Sequence, residues 1–110
     1  MLDIDAEFRK GVLFIRLVGS LNYKTNLKFE KEIYDLIDKT GINNIVLNLY
    51  NVDSIDKLSF ESILKLKNIT EKSHGDLVIC NIPIDIEKQI VYQKIYKSKN
   101  ELTALNTFNI

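Results

Sequence analysis

Asp53, Ser54, Asp56, Ser59 and Ser62 fall within one ten-residue stretch, the densest group of chemically useful side chains in the chain. Serine hydroxyls at the start of a helix are natural phosphate acceptors, because the first N–H groups point outward and the helix dipole favours negative charge there. A phosphate adds about two negative charges, enough to turn a contact surface from attractive to repulsive. Serines near helix starts are more often caps, and Ser59 and Ser62 fall inside the helix, where a kinase reaches less easily. Two carboxylates three residues apart could share a divalent cation. The simpler reading makes one a helix cap and leaves the other solvated.

Other chemistry is poorly supplied. The chain has no G-x-S-x-G elbow, no Walker-type phosphate loop and no pair of histidines. Its one histidine, His74, lies in the turn SHGD without neighbouring cysteines that would make a metal site. Its one cysteine, Cys80, sits in LVIC and reads as a buried structural thiol. These residues predict neither an enzyme nor a resident cofactor or metal.

The elements that position this group follow from hydropathy. Ile45, Val46, Leu47 and Leu49 form a nearly unbroken apolar run, expected of a strand covered on both faces. A polar turn around Asp56 then opens a helix with Phe60, Ile63, Leu64 and Ile69 among its apolar residues. Upstream, Leu2, Ile4, Ala6 and Phe8 alternate with Asp3, Asp5 and Glu7, and Arg9-Lys10-Gly11 turns that strand into a second over Val12 to Val18. A helix from about Thr25 to Lys39 carries Phe29, Ile33, Leu36 and Ile37 on its inner face, with Gly41 ending it. His74-Gly75-Asp76 leads into a strand over Leu77 to Ile82, stopped by Pro83. Asp85 to Ile90 reads as a short helix and Ile90 to Lys97 as a fifth strand. Ser98 and Glu101 form a capping box for a last helix facing inward through Leu102, Leu105 and Phe108.

The order predicts an α/β sandwich: one domain over residues 1–110, a mixed sheet of about five strands, and helices mainly on one face. Its 110 residues suffice for a core without disulfides. Fifteen basic and fifteen acidic residues give no general attraction to nucleic acid or anionic membrane. The apolar runs are too short to insert in a bilayer, and MLDIDAEF is no signal pattern, so a cytoplasmic location is expected. Exposed edge strands are compatible with a monomer or a weak dimer.

Four segments in succession (FIRLVGSLN running into Thr25, IVLNLYNVDSID, DLVICNIP and SKNELTALNTF) resemble the STAS domain, and within it the anti-sigma factor antagonists. The likeness spans residues 2–108. It implies a cytosolic switch protein that binds an anti-sigma factor, itself an ATP-dependent serine kinase, and is released by phosphorylation of one serine at the start of the second helix. The family turn reads Asp-Ser-Ser-Gly followed by an apolar residue. Here Asp56, Lys57, Leu58, Ser59 and Phe60 occupy those positions, so the phosphoacceptor position holds Leu58 and the glycine position holds Ser59. Asn22 stands where the family usually has an acidic residue facing the turn, and the segment from Cys80 to Glu101 is a few residues short.

The expected function is therefore a non-catalytic docking module without the usual phosphoswitch. Its partner would be an anti-sigma factor or kinase-like ATPase, bound through Asn22, Asp56, Lys57, Leu58 and Ser59. Phe60 is expected in the core, and Leu58 either there or in the contact. The alternatives are an antagonist phosphorylated at a displaced Ser59 or Ser54, or an accessory domain of a transport system.

Overall fold

A computed structural model describes residues 1–90 and 95–108. The sequence opens with a hairpin, β1 (Leu2–Arg9) and β2 (Val12–Leu21), followed by α1 (Asn26–Thr40). Then come β3 (Ile45–Ile55), α2 (Lys57–Lys72), β4 (Leu77–Cys80), α3 (Ile84–Ile90), β5 (Tyr96–Ser98) and α4 (Glu101–Leu105). The five strands lie in the order β1-β2-β3-β4-β5. Only the β1–β2 pair is antiparallel, and the other three are parallel, as crossover connections through helices require. The mixed sandwich expected from the hydropathy pattern is the fold.

Two apolar clusters lie on opposite faces of the sheet. The larger joins Leu13, Ile15, Leu47, Leu49 and Ile79 to Phe29 and Ile33 of α1, Ile63 and Leu66 of α2, and Ile86 of α3. The smaller joins Val12, Phe14, Val46, Val78 and Cys80 to Ala104 and Phe108 at the chain's end. The run Ile45–Leu47 is buried on both sides because β3 is the middle strand and serves both clusters. Gly41 closes α1 in the left-handed conformation, φ 68°, its N–H donating to the Ile37 carbonyl at 2.8 Å.

Several boundaries differ from the sequence reading. The fourth strand ends at Cys80, two residues early, because Asn81 takes a positive φ of 53° and turns the chain out of the sheet. Of the strand expected over 90–97, Ile90 ends α3, residues 91–94 lie outside the described residues, and the strand itself is Tyr96–Ser98. Ala6 and Phe8 continue the β1 alternation but are exposed, Ala6 lining an open cleft beside Glu32, Asp35, Leu36 and Lys39 of α1.

The expected capping box does not form. Asn100 is the cap of α4, its side-chain oxygen accepting from Thr103 N–H at 2.8 Å. Glu101 instead makes a bidentate pair with Arg16 of β2, at 2.8 and 2.7 Å. A charge-assisted fork is stronger than a bond to a neutral N–H, so the carboxylate goes to the guanidinium. Of the residues expected to face inward, Leu105 and Phe108 do so together with Ala104, whereas Leu102 is exposed.

Candidate partner-binding site

At the end of β2, Gly19 has φ 115°, and a Cβ there would stand 2.2 Å from the Met1 carbonyl oxygen, so only glycine fits. The loop beyond is tied by short polar side chains. The Asn22 side-chain oxygen accepts from Lys24 N–H at 2.9 Å and Thr25 N–H at 3.3 Å. The Thr25 hydroxyl donates to the Ser20 carbonyl at 2.8 Å and accepts from Asn22 N–H at 2.9 Å. Asn22 is thus a turn-former, half-buried, and the turn throws Tyr23 and Lys24 into solvent.

Asp56 joins this loop to α2. One carboxylate oxygen accepts from Ser59 N–H at 2.8 Å, capping the helix, and the other accepts from Tyr23 N–H at 2.8 Å. Its own N–H donates to the Leu21 carbonyl at 3.1 Å. The Ser59 amide chiefly holds the carboxyl below its ordinary range, against a smaller cost of desolvation, with help from the Ser59 side chain and the Tyr23 amide. Both oxygens are committed to amides, which fits the cap reading of Asp56 and leaves Asp53 as the solvated member.

Asp56→Ala should release the loop from the helix. Exchange of the Tyr23 and Ser59 amides, followed by NMR, should accelerate on the order of tenfold or more. The folded carboxyl is depressed, so its contribution is complete above the ordinary carboxylate range and declines as pH falls through the lowered value. Wild-type protection of these two amides should therefore fade in acid, and unchanged protection in the variant would rule out the clamp.

The loop and helix starts that the clamp joins carry three exposed apolar side chains: Tyr23 (68% exposed), Leu27 (77%) and Leu58 (51%). Lys24 and Lys57 are exposed beside them in the chain. Leu58 thus points to solvent, whereas Phe60 is half-buried against the main core. Hydropathy reasoning missed Tyr23 and Leu27. Leu27 carried a signal, since it lies two residues out of phase with the Phe29–Ile33 stripe that faces the core.

The serines separate sharply. Ser54 is exposed on the last turn-ward residues of β3, in register with Ser20. Ser59 is fully buried, and among the described residues its Oγ makes no hydrogen bond of proper geometry, though it lies near enough to Asp56 to favour the charged carboxylate. Ser62 is buried at the contact of α2 with α1, bonded to the Asn26 side-chain oxygen and to Glu30 at 3.0 Å. A kinase reaches Ser59 only if the first turn of α2 opens. Ser59→Ala should leave stability unchanged or raise it by about 1 kcal/mol, because it removes a poorly satisfied buried hydroxyl and adds helix propensity. Urea denaturation reads this directly, and a loss of more than about 1 kcal/mol would show that the hydroxyl has a partner.

The remaining reactive groups are quiet. Burial, reinforced by the Glu101 charge, pushes the Cys80 thiol up to about 12, so it carries no thiolate at neutral pH. His74 sits in a left-handed turn, φ 64°, and is exposed. No group of three or more His, Cys, Asp or Glu side chains is placed to hold a metal among the described residues.

Comparison with known proteins gives three concordant results. A family model described as the STAS domain matches residues 3–102. An anti-sigma F factor antagonist from Paenibacillus polymyxa is 24% identical over 113 aligned positions, covering 99% of this chain and 97% of that one. Among solved structures, a candidate anti-sigma factor antagonist from Thermotoga maritima superposes with a TM-score of 0.88 at 19% identity, covering 94% and 92% of the two chains. The Bacillus cell fate determinant SpoIIAA, in its phosphorylated form, gives 0.78 at 16% identity, covering 96% and 98%.

Proposed function

The chain belongs to the STAS domain family, and from that membership we propose a non-catalytic regulatory module that docks on an anti-sigma factor or kinase-like ATPase. The curated relative is named for that antagonism, and the chain covers nearly its whole length. The observation that carries the reading is the exposed group Tyr23, Leu27 and Leu58 on the loop and helix starts that the Asp56 clamp joins. An apolar centre containing an aromatic, with a charged rim, is the composition of a protein-binding patch. Asn22 and Asp56 shape the surface, Lys57 and Leu58 face the partner, and Ser59 lies behind them as packing.

In this reading the usual switch is missing, because the residue at the exposed position is a leucine. The protein acts in the cytoplasm as a monomer or weak dimer, and no described helix is long and apolar enough to cross a membrane. A second reading has one observation in its favour. Ser54 is exposed near the same end of β3, so it is a better displaced phosphosite than buried Ser59.

A tagged pull-down from the native cell, with mass spectrometry of bait and partners, tests both. A kinase-like ATPase bound to an unphosphorylated bait supports the module without a switch. Phosphate on Ser54 transfers the case to the second reading. Recovery of a permease subunit instead of an ATPase would move the chain to transport.

A further inference from the structure

The described residues cover the second face of the sheet only in part. Ala104 and Phe108 pack over Val12, Phe14, Val46, Val78 and Cys80, and the Arg16–Glu101 pair marks the edge of that cover. Beyond it, Val18 of β2 is 45% exposed and Tyr50 of β3 is 70% exposed. These are interior strands of a mostly parallel sheet, which are ordinarily covered on both faces. Beside them lies a groove of about 320 Å³ lined by Arg16, Leu17, Asn48, Tyr50, Asn51 and Asn81.

The charge here is mixed, with a negative balance among the described residues. Asp3 is the cross-strand partner of Val18, and Asp5 that of Arg16. Arg16 is the cation at the groove, and it is already spent: it takes both oxygens of Glu101, reaches Glu7 at 3.0 Å, and touches Asp5 only at 3.5 Å. Arg9 lies lower, over the Phe14 ring and within 3.8 Å of Glu7. Among the described residues, four carboxylates (Asp3, Asp5, Glu7 and Glu101) thus face two guanidiniums, and the surplus falls on Asp3 and on Asp5, which has only the 3.5 Å contact with Arg16. Two copies meeting through this face would crowd those carboxylates, whereas a cationic segment would neutralise them.

We propose that the uncovered part of the second sheet face, centred on Val18 and Tyr50, docks a basic polypeptide segment of a protein partner, with an apolar side chain seated beside Tyr50 and lysine or arginine against Asp3 and Asp5. This surface is independent of the Leu58 patch, which lies at the start of α2 on the other layer of the sandwich.

The test titrates the full isotope-labelled chain with a soluble decapeptide alternating lysine and leucine, with the glutamate–leucine peptide in parallel. The lysine peptide should shift the amides of Val18, Tyr50 and Asn51 and leave Leu58 unmoved. Tyr50→Ala should weaken binding at least about fivefold. The double variant Asp3→Asn with Asp5→Asn should weaken it similarly and flatten its salt dependence. Each substitution is at an exposed side chain, so the fold should survive, as the rest of the amide spectrum will show. The proposal is overturned by equal response to both peptides, by shifts confined to other surfaces, by the absence of binding, or by self-association through this face.

Discussion

Leu58→Asp is expected to weaken binding to the proposed anti-sigma factor or ATPase partner by at least about 30-fold, equivalent to roughly 2 kcal/mol. Leu58 presents half its surface to solvent two residues after Asp56, whose carboxylate holds the exposed Tyr23 by its N–H, so in a complex it would be buried against apolar atoms. A carboxylate at that place would have to be desolvated without a partner, which costs more than the lost leucine contact alone. The fold itself should not suffer. An acidic residue in the first turn of α2 interacts favourably with the helix dipole, so thermal stability should hold or rise slightly while binding collapses. That divergence separates a contact residue from a structural one. Tyr23→Ala and Leu27→Ala should each reduce affinity by about fivefold or more. Leu58→Ser adds a complementary gain: it exposes a hydroxyl beside the helix cap, where a kinase-like partner with ATP should add one phosphate, seen as a mass increase. Isothermal titration with the purified partner reads the affinities, and unchanged affinity for Leu58→Asp would remove Leu58 from the interface.

Hydropathy made much of the architecture legible because it reflects burial directly. Leu13, Ile15, Leu47, Ile33 and Ile63 recur at strand or helix period, and all are buried where the period places them. Gly41 was legible for a different reason: a left-handed cap leaves few alternatives. Side-chain pairings across the fold were not legible. Glu101 carried a capping-box spacing, but Arg16, 85 residues away in sequence, offered a stronger charged partner. Local spacing cannot reveal such a competitor. The same holds at the site. That Asp56 caps a helix could be read from its position, whereas its second bond to Tyr23 N–H depends on a loop 33 residues upstream. Ser59 and Leu58 are neighbours of opposite burial, because the first turn of α2 places one against the core and the other against solvent. Serine's small volume suits that inward place, and polarity alone would have put it outside.

Glu101→Gln is expected to destabilise the protein by about 1–3 kcal/mol at neutral pH, the range for a charge-assisted fork discounted for its partial exposure. The carboxylate side chain retains 18% of its exposure and the Arg16 side chain 33%, so the pair is shielded but not dry. Glutamine offers one acceptor and turns an N–H group toward a guanidinium, leaving Arg16 with Glu7 at 3.0 Å as its best partner. Asn48, which donates to Glu101 at 2.8 Å, also loses its charged acceptor. The pH dependence fixes the sign. Hydrogen bonding from Arg16 is the main cause that holds the Glu101 carboxyl below its ordinary range, against burial, with smaller help from Asn48 and from the charges of Arg16 and Arg9. The folded value is therefore below the unfolded one, and the stabilisation is complete above the unfolded carboxylate value of about 4.3. It is lost as pH falls through the lowered folded value, while Arg16, pushed further up, stays charged throughout. Urea denaturation from neutrality into the acid range should show the gap between wild type and Glu101→Gln full at neutral pH and narrowing as pH falls below the ordinary carboxylate range. Cys80 supplies a second readout, because it is buried in the small cluster with Ala104 and Phe108. If the fork holds α4 down, the variant should expose this thiol to a labelling reagent faster than global unfolding allows. A constant stability gap across the range, with no change in labelling, would reduce the Arg16–Glu101 pair to a surface ornament and leave apolar packing alone to hold α4 on the sheet.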